Sequence, residues 1–195
     1  MYYRIGIIIL LGVFSMPIFG SMPELGEPAP KFNLEDQDGV IRNLKDYKNK
    51  KLVIYFFPKA DTPGWKKQAC GLRDNYSNYE KSNIEILGIS YDSKSSLKNF
   101  KEKYDIQFNF LSDFEKNVGK AYGVNRYFFT SRKTFLINEE GILIYTIDSV
   151  DINTHASDIL VLFDKLKNWG SLCVYLLNIV PFEIIFLRLP VWKAI

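Results

Sequence analysis

The chain has 195 residues, of which 47% are hydrophobic, and it carries a formal net charge of +3. This length and composition are enough to bury one substantial core. The small charge comes from interspersed lysines and acidic residues, so no nucleic-acid-binding surface is indicated. Two cysteines and a single histidine are too few for a disulfide framework or a histidine-based metal site. We therefore predict no metal and no cofactor.

The first 21 residues differ in kind from the rest. Arg4 precedes an apolar run over residues 5–14, and three residues typical of a cleavage region follow: Ser15, Pro17 and Gly20. This pattern resembles a secretory signal peptide, and the run is too short to span a membrane. We expect an exported protein, periplasmic or extracytoplasmic, if residues 1–21 are a signal. If translation starts instead at Met22, we expect a cytoplasmic protein.

A folded domain is predicted over residues 22–169. It begins with a hairpin, because Asp38-Gly39 is a turn signal between residues 32–34 and 40–44. The apolar, β-branched run 52–57 predicts a strand buried on both faces, which Pro58 ends.

A helix is predicted directly after this strand, over residues 63–79. Thr62 is a good N-cap and Pro63 suits the first helical position. The N-terminus of such a helix stabilises a negative charge, and a cysteine placed there has a lowered pKa.

The remaining apolar patterns alternate between strands and helices. We predict a strand over 84–90, a helix over 94–104, a short strand at 110–113, a small helix through Val118 and Tyr122, a hairpin of 132–138 with 142–148, and a helix over 154–168. This order predicts an α/β, thioredoxin-like fold with a central mixed sheet flanked by helices. Strands 52–57, 84–90 and 134–137 should be adjacent.

Residues 170–195 form an apolar extension with few charges. Asn178, Pro181 and Glu183 interrupt it, so it contains no clean transmembrane span. We interpret it as an atypical extension or a read-through in another frame, with a membrane-surface segment as the functional alternative. Membrane association through either end of the chain is therefore left open.

The stretch 58–74 resembles the active-site region of peroxiredoxins, most closely the bacterioferritin-comigratory (BCP or PrxQ) branch. That branch carries Pro-x-x-x-Thr-Pro-Gly-Cys, four further residues, a second Cys and then Gly-(Phe/Leu)-Arg-Asp. The matching residues are Pro58, Thr62, Pro63, Gly64, Cys70, Gly71, Leu72, Arg73 and Asp74. Trp65 stands at the position of the peroxidatic cysteine. The resemblance covers residues 25–168 and implies the peroxiredoxin variant of the thioredoxin fold.

The resemblance also implies roles for several residues. In peroxiredoxins a thiolate attacks a hydroperoxide and becomes a sulfenic acid, and a thioredoxin-like protein supplies the reducing equivalents. Thr62 and an arginine would orient the peroxide, and Pro58 would shield the pocket. The arginine is Arg132, because Arg132-Lys133-Thr134-Phe135-Leu136-Ile137 resembles the family segment Arg-x-(Ser/Thr)-Phe-Leu-Ile. Cys70 matches the resolving cysteine.

Trp65 determines how much of this activity is expected. Indole has no ionisable nucleophile, so we expect impaired thiol peroxidase chemistry and an aromatic plug packed against Phe57. We expect Thr62, Arg132 and Trp65 to converge in a shallow site, with Pro58 on its rim. Two alternatives remain: a pseudoenzyme that binds a partner or has a structural role, and a one-cysteine peroxidase that uses Cys70.

Three further residues have ordinary structural interpretations beside their functional ones. Cys70 lies in the second turn of the helix, where the dipole has faded, and is interpreted as a small core residue. His155 is expected to be structural or solvent-facing. Arg73 and Asp74 are expected to pair at the surface or near the pocket.

Overall fold

The computed structural model describes residues 22–60, 63–126 and 129–179, with side chains as far as residue 167. The strands are β1 (Asn33–Asp36), β2 (Ile41–Asn43), β3 (Lys51–Phe56), β4 (Ile84–Ser90), β5 (Asn109–Ser112), β6 (Lys133–Ile137) and β7 (Leu143–Ile147). The helices are α1 (Pro63–Asp74), α2 (Tyr76–Lys81), α3 (Lys94–Lys103), α4 (Asn117–Ala121) and α5 (His155–Ile179), and a 3-10 helix covers Leu44–Tyr47.

All seven strands belong to one mixed sheet with the order β2-β1-β5-β4-β3-β6-β7. Strand β3 lies between β4, which is parallel to it, and β6, which is antiparallel. The prediction that the three apolar runs form neighbouring strands is therefore confirmed. The predicted α/β, thioredoxin-like architecture is confirmed with it.

Strand β3 divides the hydrophobic core into two layers. Alternate residues of a strand point to opposite faces of the sheet. Val53, Tyr55 and Phe57 pack in one layer with residues of α1, α3 and α5, whereas Leu52, Ile54 and Phe56 pack in the other with α4 and the N-terminal hairpin. Both faces of the strand are buried, as its continuous apolar run predicts.

The single helix predicted over residues 63–79 is wrong, because the chain forms two helices there. Asn75 separates α1 from α2, with a backbone φ of −100° and ψ of 5°. Its side-chain Nδ2 donates to the carbonyl oxygen of Gly71 at 3.0 Å. A short amide side chain that bonds nearby backbone competes with the helical hydrogen-bond ladder, which explains the break.

The helix predicted over residues 154–168 is also longer than expected, since α5 continues to Ile179. Residues 169–179 contain no proline, and the next one in the sequence is Pro181. Among the described residues, no helix is both long enough and apolar enough to cross a membrane. The predicted signal segment, residues 1–21, and the end of the chain, residues 180–195, lie outside the described residues.

The other boundaries differ from the predictions by a few residues at most. Strand β3 begins and ends one residue earlier than predicted, and β2 and α3 are slightly shorter. Boundaries of this kind depend on hydrogen bonds at the frayed ends of an element rather than on its apolar pattern.

Candidate active site

The candidate site lies where β3 leads into α1. Beyond the end of β3, the Phe57 amide still donates to the carbonyl of Ile89. The hydroxyl of Thr130 donates to the Phe57 carbonyl at 2.7 Å and fixes this end of the strand. Pro58 follows in a half-buried position. Thr62, the predicted N-cap and peroxide-orienting residue, lies outside the described residues.

Arg132 lies against the first turn of α1. A Cβ atom added at Gly64 would be 3.3 Å from Nη2 and 3.6 Å from Nη1 of Arg132. The guanidinium is therefore next to the helix N-terminus, as expected from the resemblance of its segment to the family motif. Burial lowers the pKa of Arg132, but arginine starts so high that the group remains a cation at neutral pH. Its catalytic role stays a prediction.

Arg132 also has unused hydrogen-bonding capacity. Its Nε atom is buried and has no hydrogen-bond partner in the part of the chain that the structure describes. A buried donor on a cation strongly favours an acceptor or an anion beside it. This arrangement suits the stabilisation of negative charge at the start of α1.

Trp65 is in the core rather than at the surface. Its side chain is 0% exposed. The indole stacks on the ring of Phe57 with centroids 4.2 Å apart and an interplanar angle of 18°. It also contacts the rings of Phe100 and Phe110. The predicted packing against Phe57 is confirmed, but the expectation that the indole lines a shallow site is wrong. Position 65 faces the sheet, where a large apolar ring is stabilised by burial.

A buried polar cluster lies near the same helix. Gln68 Nε2 is 3.2 Å from Nδ1 of His155, and Nε2 of His155 is 2.9 Å from Oγ1 of Thr134. All three residues are almost completely buried. With the Gln68 amide donating to Nδ1, the neutral ring donates from Nε2 to Thr134. The cluster thus links α1, β6 and the start of α5.

Burial lowers the pKa of His155 to about 4, with a smaller contribution in the same direction from Arg132 and an opposing one from Asp158. The ring is therefore neutral at pH 7. The interpretation of His155 as a structural residue agrees with its burial, and the interpretation of it as a solvent-facing residue is wrong. The sequence pattern did not identify Gln68 as the hydrogen-bond partner of His155. The one available signal was its spacing of three residues from Trp65, which places both residues on one face of α1.

Cys70 is a free thiol that is half-buried near the middle of α1. Cys70, interpreted as a small core residue, lies at the edge of the core, because this face of the helix reaches the solvent. Cys173 lies beyond the described side chains. The described residues contain no cluster of three or more histidine, cysteine or acidic side chains that could hold a metal ion.

Arg73 and Asp74 pair as predicted at the C-terminal end of α1. The two side chains are 2.8 Å apart, and Arg73 also donates to the carbonyl oxygen of Tyr104 at 2.8 Å. Asp74 is largely exposed, so the pair is a surface feature that ties α1 to the end of α3. Exposed pairs of this kind contribute little to stability.

Comparison with known proteins identifies the family. A sequence model of the AhpC/TSA family matches residues 25–146. The chain belongs to this family. It is 38% identical over 152 residues to peroxiredoxin Bcp of Escherichia coli K12, an alignment that covers 74% of this chain and 93% of that protein. The relatives of this peroxiredoxin therefore include members of the predicted BCP/PrxQ branch.

Solved structures agree with this assignment. A crystal structure of peroxidoxin BcpB from Mycobacterium tuberculosis has a TM-score of 0.69 and 29% identity, and the match covers 72% of this chain and 96% of that one. A cysteine-to-serine mutant of PrxQ from Xylella fastidiosa has a TM-score of 0.70 and 28% identity, covering 77% and 99% of the two chains. The fold is the peroxiredoxin form of the thioredoxin fold.

Proposed function

We propose that this chain is a BCP/PrxQ-type peroxiredoxin whose hydroperoxide reductase activity is impaired because Trp65 occupies the peroxidatic position. The observation that carries the proposal is the complete burial of the Trp65 indole in its stack on Phe57. A buried aromatic ring is part of the core and leaves no nucleophile at the first turn of α1. The substrate class proposed from the relatives is hydroperoxides. A solved BCP of Xanthomonas campestris, 27% identical with a TM-score of 0.66, is described as reducing alkyl peroxides.

The family reaction requires a thiolate at this turn. The sulfur attacks the distal peroxide oxygen, the O–O bond breaks, and the leaving alkoxide or hydroxide takes up a proton to give an alcohol or water. A second thiol then displaces water from the sulfenic acid to give a disulfide, which a thioredoxin-like protein reduces. Trp65 cannot perform the first step, although Arg132 remains beside the helix N-terminus to stabilise the negative charge.

Cys70 is the thiol that the described part of the chain offers for an alternative reaction. It is partly accessible, which a one-cysteine peroxidase would need. However, it lies seven residues after Pro63, so the unpaired amides of the first turn of α1 are remote from it. We therefore propose that Cys70 is inactive towards peroxide. A non-catalytic role, in which the fold is retained for contact with a partner protein, is compatible with an inactive Cys70.

The test is peroxide consumption by the parent protein and two matched variants, Trp65→Cys and Trp65→Ser. Both variants open the same space, but only the first supplies a thiol. With hydrogen peroxide and a thioredoxin system as reductant, we expect the parent and Trp65→Ser to remain at the background rate. Trp65→Cys should consume peroxide at least tenfold faster than Trp65→Ser, and a sulfenic acid should be trapped on residue 65 by dimedone.

Two results would contradict the proposal. The first is robust turnover by the parent that disappears with Cys70→Ser, which would make Cys70 the nucleophile. The second is a Trp65→Cys variant that folds, as judged by its circular dichroism spectrum, but reacts no faster than Trp65→Ser. In that case position 65 is not equivalent to the peroxidatic position.

A further inference from the structure

A cavity of about 450 Å³ lies at the end of the sheet opposite the candidate active site. It is lined by Leu52 near the start of β3, by Ile137 at the end of β6, and by the turn that follows β6. Strand β3 has six residues, so the cavity and Pro58 are separated by about 20 Å along the strand. The cavity is thus independent of the peroxide chemistry at the start of α1.

The walls of the cavity are apolar. Phe32 and Tyr47 form an aromatic pair with ring centroids 6.4 Å apart, and both residues belong to the core layer on this face. The aliphatic and phenylalanine residues that line it are Pro28, Ala29, Phe32, Leu44, Leu52 and Ile137. The volume falls within the range of about 300–1,000 Å³ that is usual for small-molecule sites. Such a cavity favours a ligand with an aliphatic or aromatic body.

The rim of the cavity is basic. Four lysines line it: Lys31, Lys45, Lys48 and Lys50. Lys50 pairs with Glu85, whereas the other three form no ion pair within the described ranges. Of the two glutamates on the rim, Glu139 is within 4.0 Å of Lys51, and Glu140 offsets one of those three lysines. The uncompensated charge of the rim is therefore positive, which favours an anionic group at the mouth.

The wall also contains a polar group without a partner. The Tyr47 hydroxyl is buried and has no hydrogen-bond partner in the part of the chain described. Burial raises the pKa of Tyr47 to about 12, so the phenol is neutral and retains its proton at pH 7. The Tyr47 side chain therefore adds no charge of its own, and the charge of the cavity is set by its rim.

We infer that this basic-rimmed cavity binds a small amphiphilic anion, namely an aliphatic or aryl carboxylate with its apolar body against Phe32 and Leu52. The apolar end of the chain, residues 180–195, is a less suitable occupant of the cavity because of its charges. Residues 180–195 carry Glu183 as their one acidic side chain against Arg188 and Lys193. The side chains of this segment therefore sum to +1, which complements a lysine rim less well than a free carboxylate does.

The test is calorimetric titration of the full chain with octanoate at low ionic strength, with octylamine as a ligand of equal length and opposite charge. Octanoate should bind saturably and at least tenfold more tightly than octylamine. The double variant Lys31→Glu/Lys48→Glu should weaken octanoate binding at least tenfold. The charge-matched control Lys67→Glu/Lys120→Glu changes two exposed lysines that do not line the cavity, and it should change binding less than twofold. NMR shifts induced by octanoate should map to the methyl groups of Leu52 and Ile137.

Several outcomes would overturn the inference. They are an absence of saturable octanoate binding, equal weakening by the two double variants, and shift changes that map away from Leu52 and Ile137. Binding to anionic phospholipid vesicles that depends on Lys31 and Lys48 without any binding of free octanoate would also overturn it, because it would identify a membrane contact. None of these readouts depends on peroxide turnover.

Discussion

The indole of Trp65 stacks on Phe57 at a centroid distance of 4.2 Å, so the first turn of α1 is joined to the end of β3 by two aromatic rings. In this arrangement position 65 contributes to the core rather than to a surface pocket. The stacking of Trp65 on Phe57 should therefore affect the free energy of unfolding as well as any catalysis at position 65.

Replacing Trp65 by alanine should destabilise the protein strongly. The side chain is completely buried and packs against three phenylalanine rings. Truncations of this kind cost about 3–5 kcal/mol in unfolding free energy. Urea unfolding followed by far-UV circular dichroism measures the change. Phe114→Ala is the matched control, because Phe114 is 69% exposed and its loss should change stability by less than about 0.5 kcal/mol. Equal effects of the two substitutions would contradict the placement of Trp65.

Arg132 should matter to any peroxidase activity created at position 65. In the Trp65→Cys background, Arg132→Lys should lower peroxide turnover by at least tenfold. A lysine keeps the charge but loses the planar, multidentate donor group next to Gly64. Arg73→Lys in the same background is the control, since Arg73 is occupied by Asp74 and the Tyr104 carbonyl at the other end of α1. Peroxide turnover of the Arg73→Lys variant should stay within twofold of that of Trp65→Cys alone. If Arg73→Lys lowers turnover as much as Arg132→Lys does, Arg132 has no specific role.

His155 should make stability depend on pH in a defined direction. Its pKa is about 4 in the folded protein, below the ordinary value of 6.5, because the ring is buried. The unfolded chain therefore binds a proton between these two values while the folded chain does not. The unfolding free energy should fall as pH decreases from about 6.5 to about 4, by at most roughly 3 kcal/mol.

The single histidine of the chain makes this pH effect separable. Comparing urea unfolding at pH 7 and pH 5 should show a smaller loss in His155→Gln than in the parent. Carboxylates that titrate in the same range are common to both proteins and serve as the internal control. An imidazole proton resonance that titrates near pH 6.5 in the folded protein would rule out the buried, neutral ring.

Two glycines should respond oppositely to alanine. At Gly88 in β4, an added Cβ would be 2.6 Å from Cδ1 of Phe110, so Gly88→Ala should destabilise by about 1–3 kcal/mol.

At Gly71 in α1, no atom lies within 4 Å of an added Cβ, so Gly71→Ala should stabilise by about 0.5–1 kcal/mol through helix propensity. Chemical denaturation measures both. Stabilisation by Gly88→Ala would show that β4 does not pack this closely against Phe110.

Much of the fold could be predicted because its signals are local. The apolar run after Lys51 is continuous because both faces of β3 are buried, and Asp38-Gly39 supports a turn whatever surrounds it. The break at Asn75 was missed, because an asparagine in a helical pattern does not reveal whether its side chain will bond the backbone. The end of α5 was missed because a helix can continue wherever no proline or capping residue stops it.

The sequence by itself determined the family, through a motif whose residues are close together along the chain, and it determined that position 65 has no thiol. Only the tertiary structure decided where the side chains of the site lie. Arg132 is next to Gly64, and His155 is between Gln68 and Thr134, because β6 pairs with β3 and α5 packs on α1. The contacts of Arg132 with Gly64, of His155 with Gln68 and of His155 with Thr134 join residues that are 68, 87 and 21 positions apart along the chain. No local pattern specifies such contacts, since they depend on how several elements pack together.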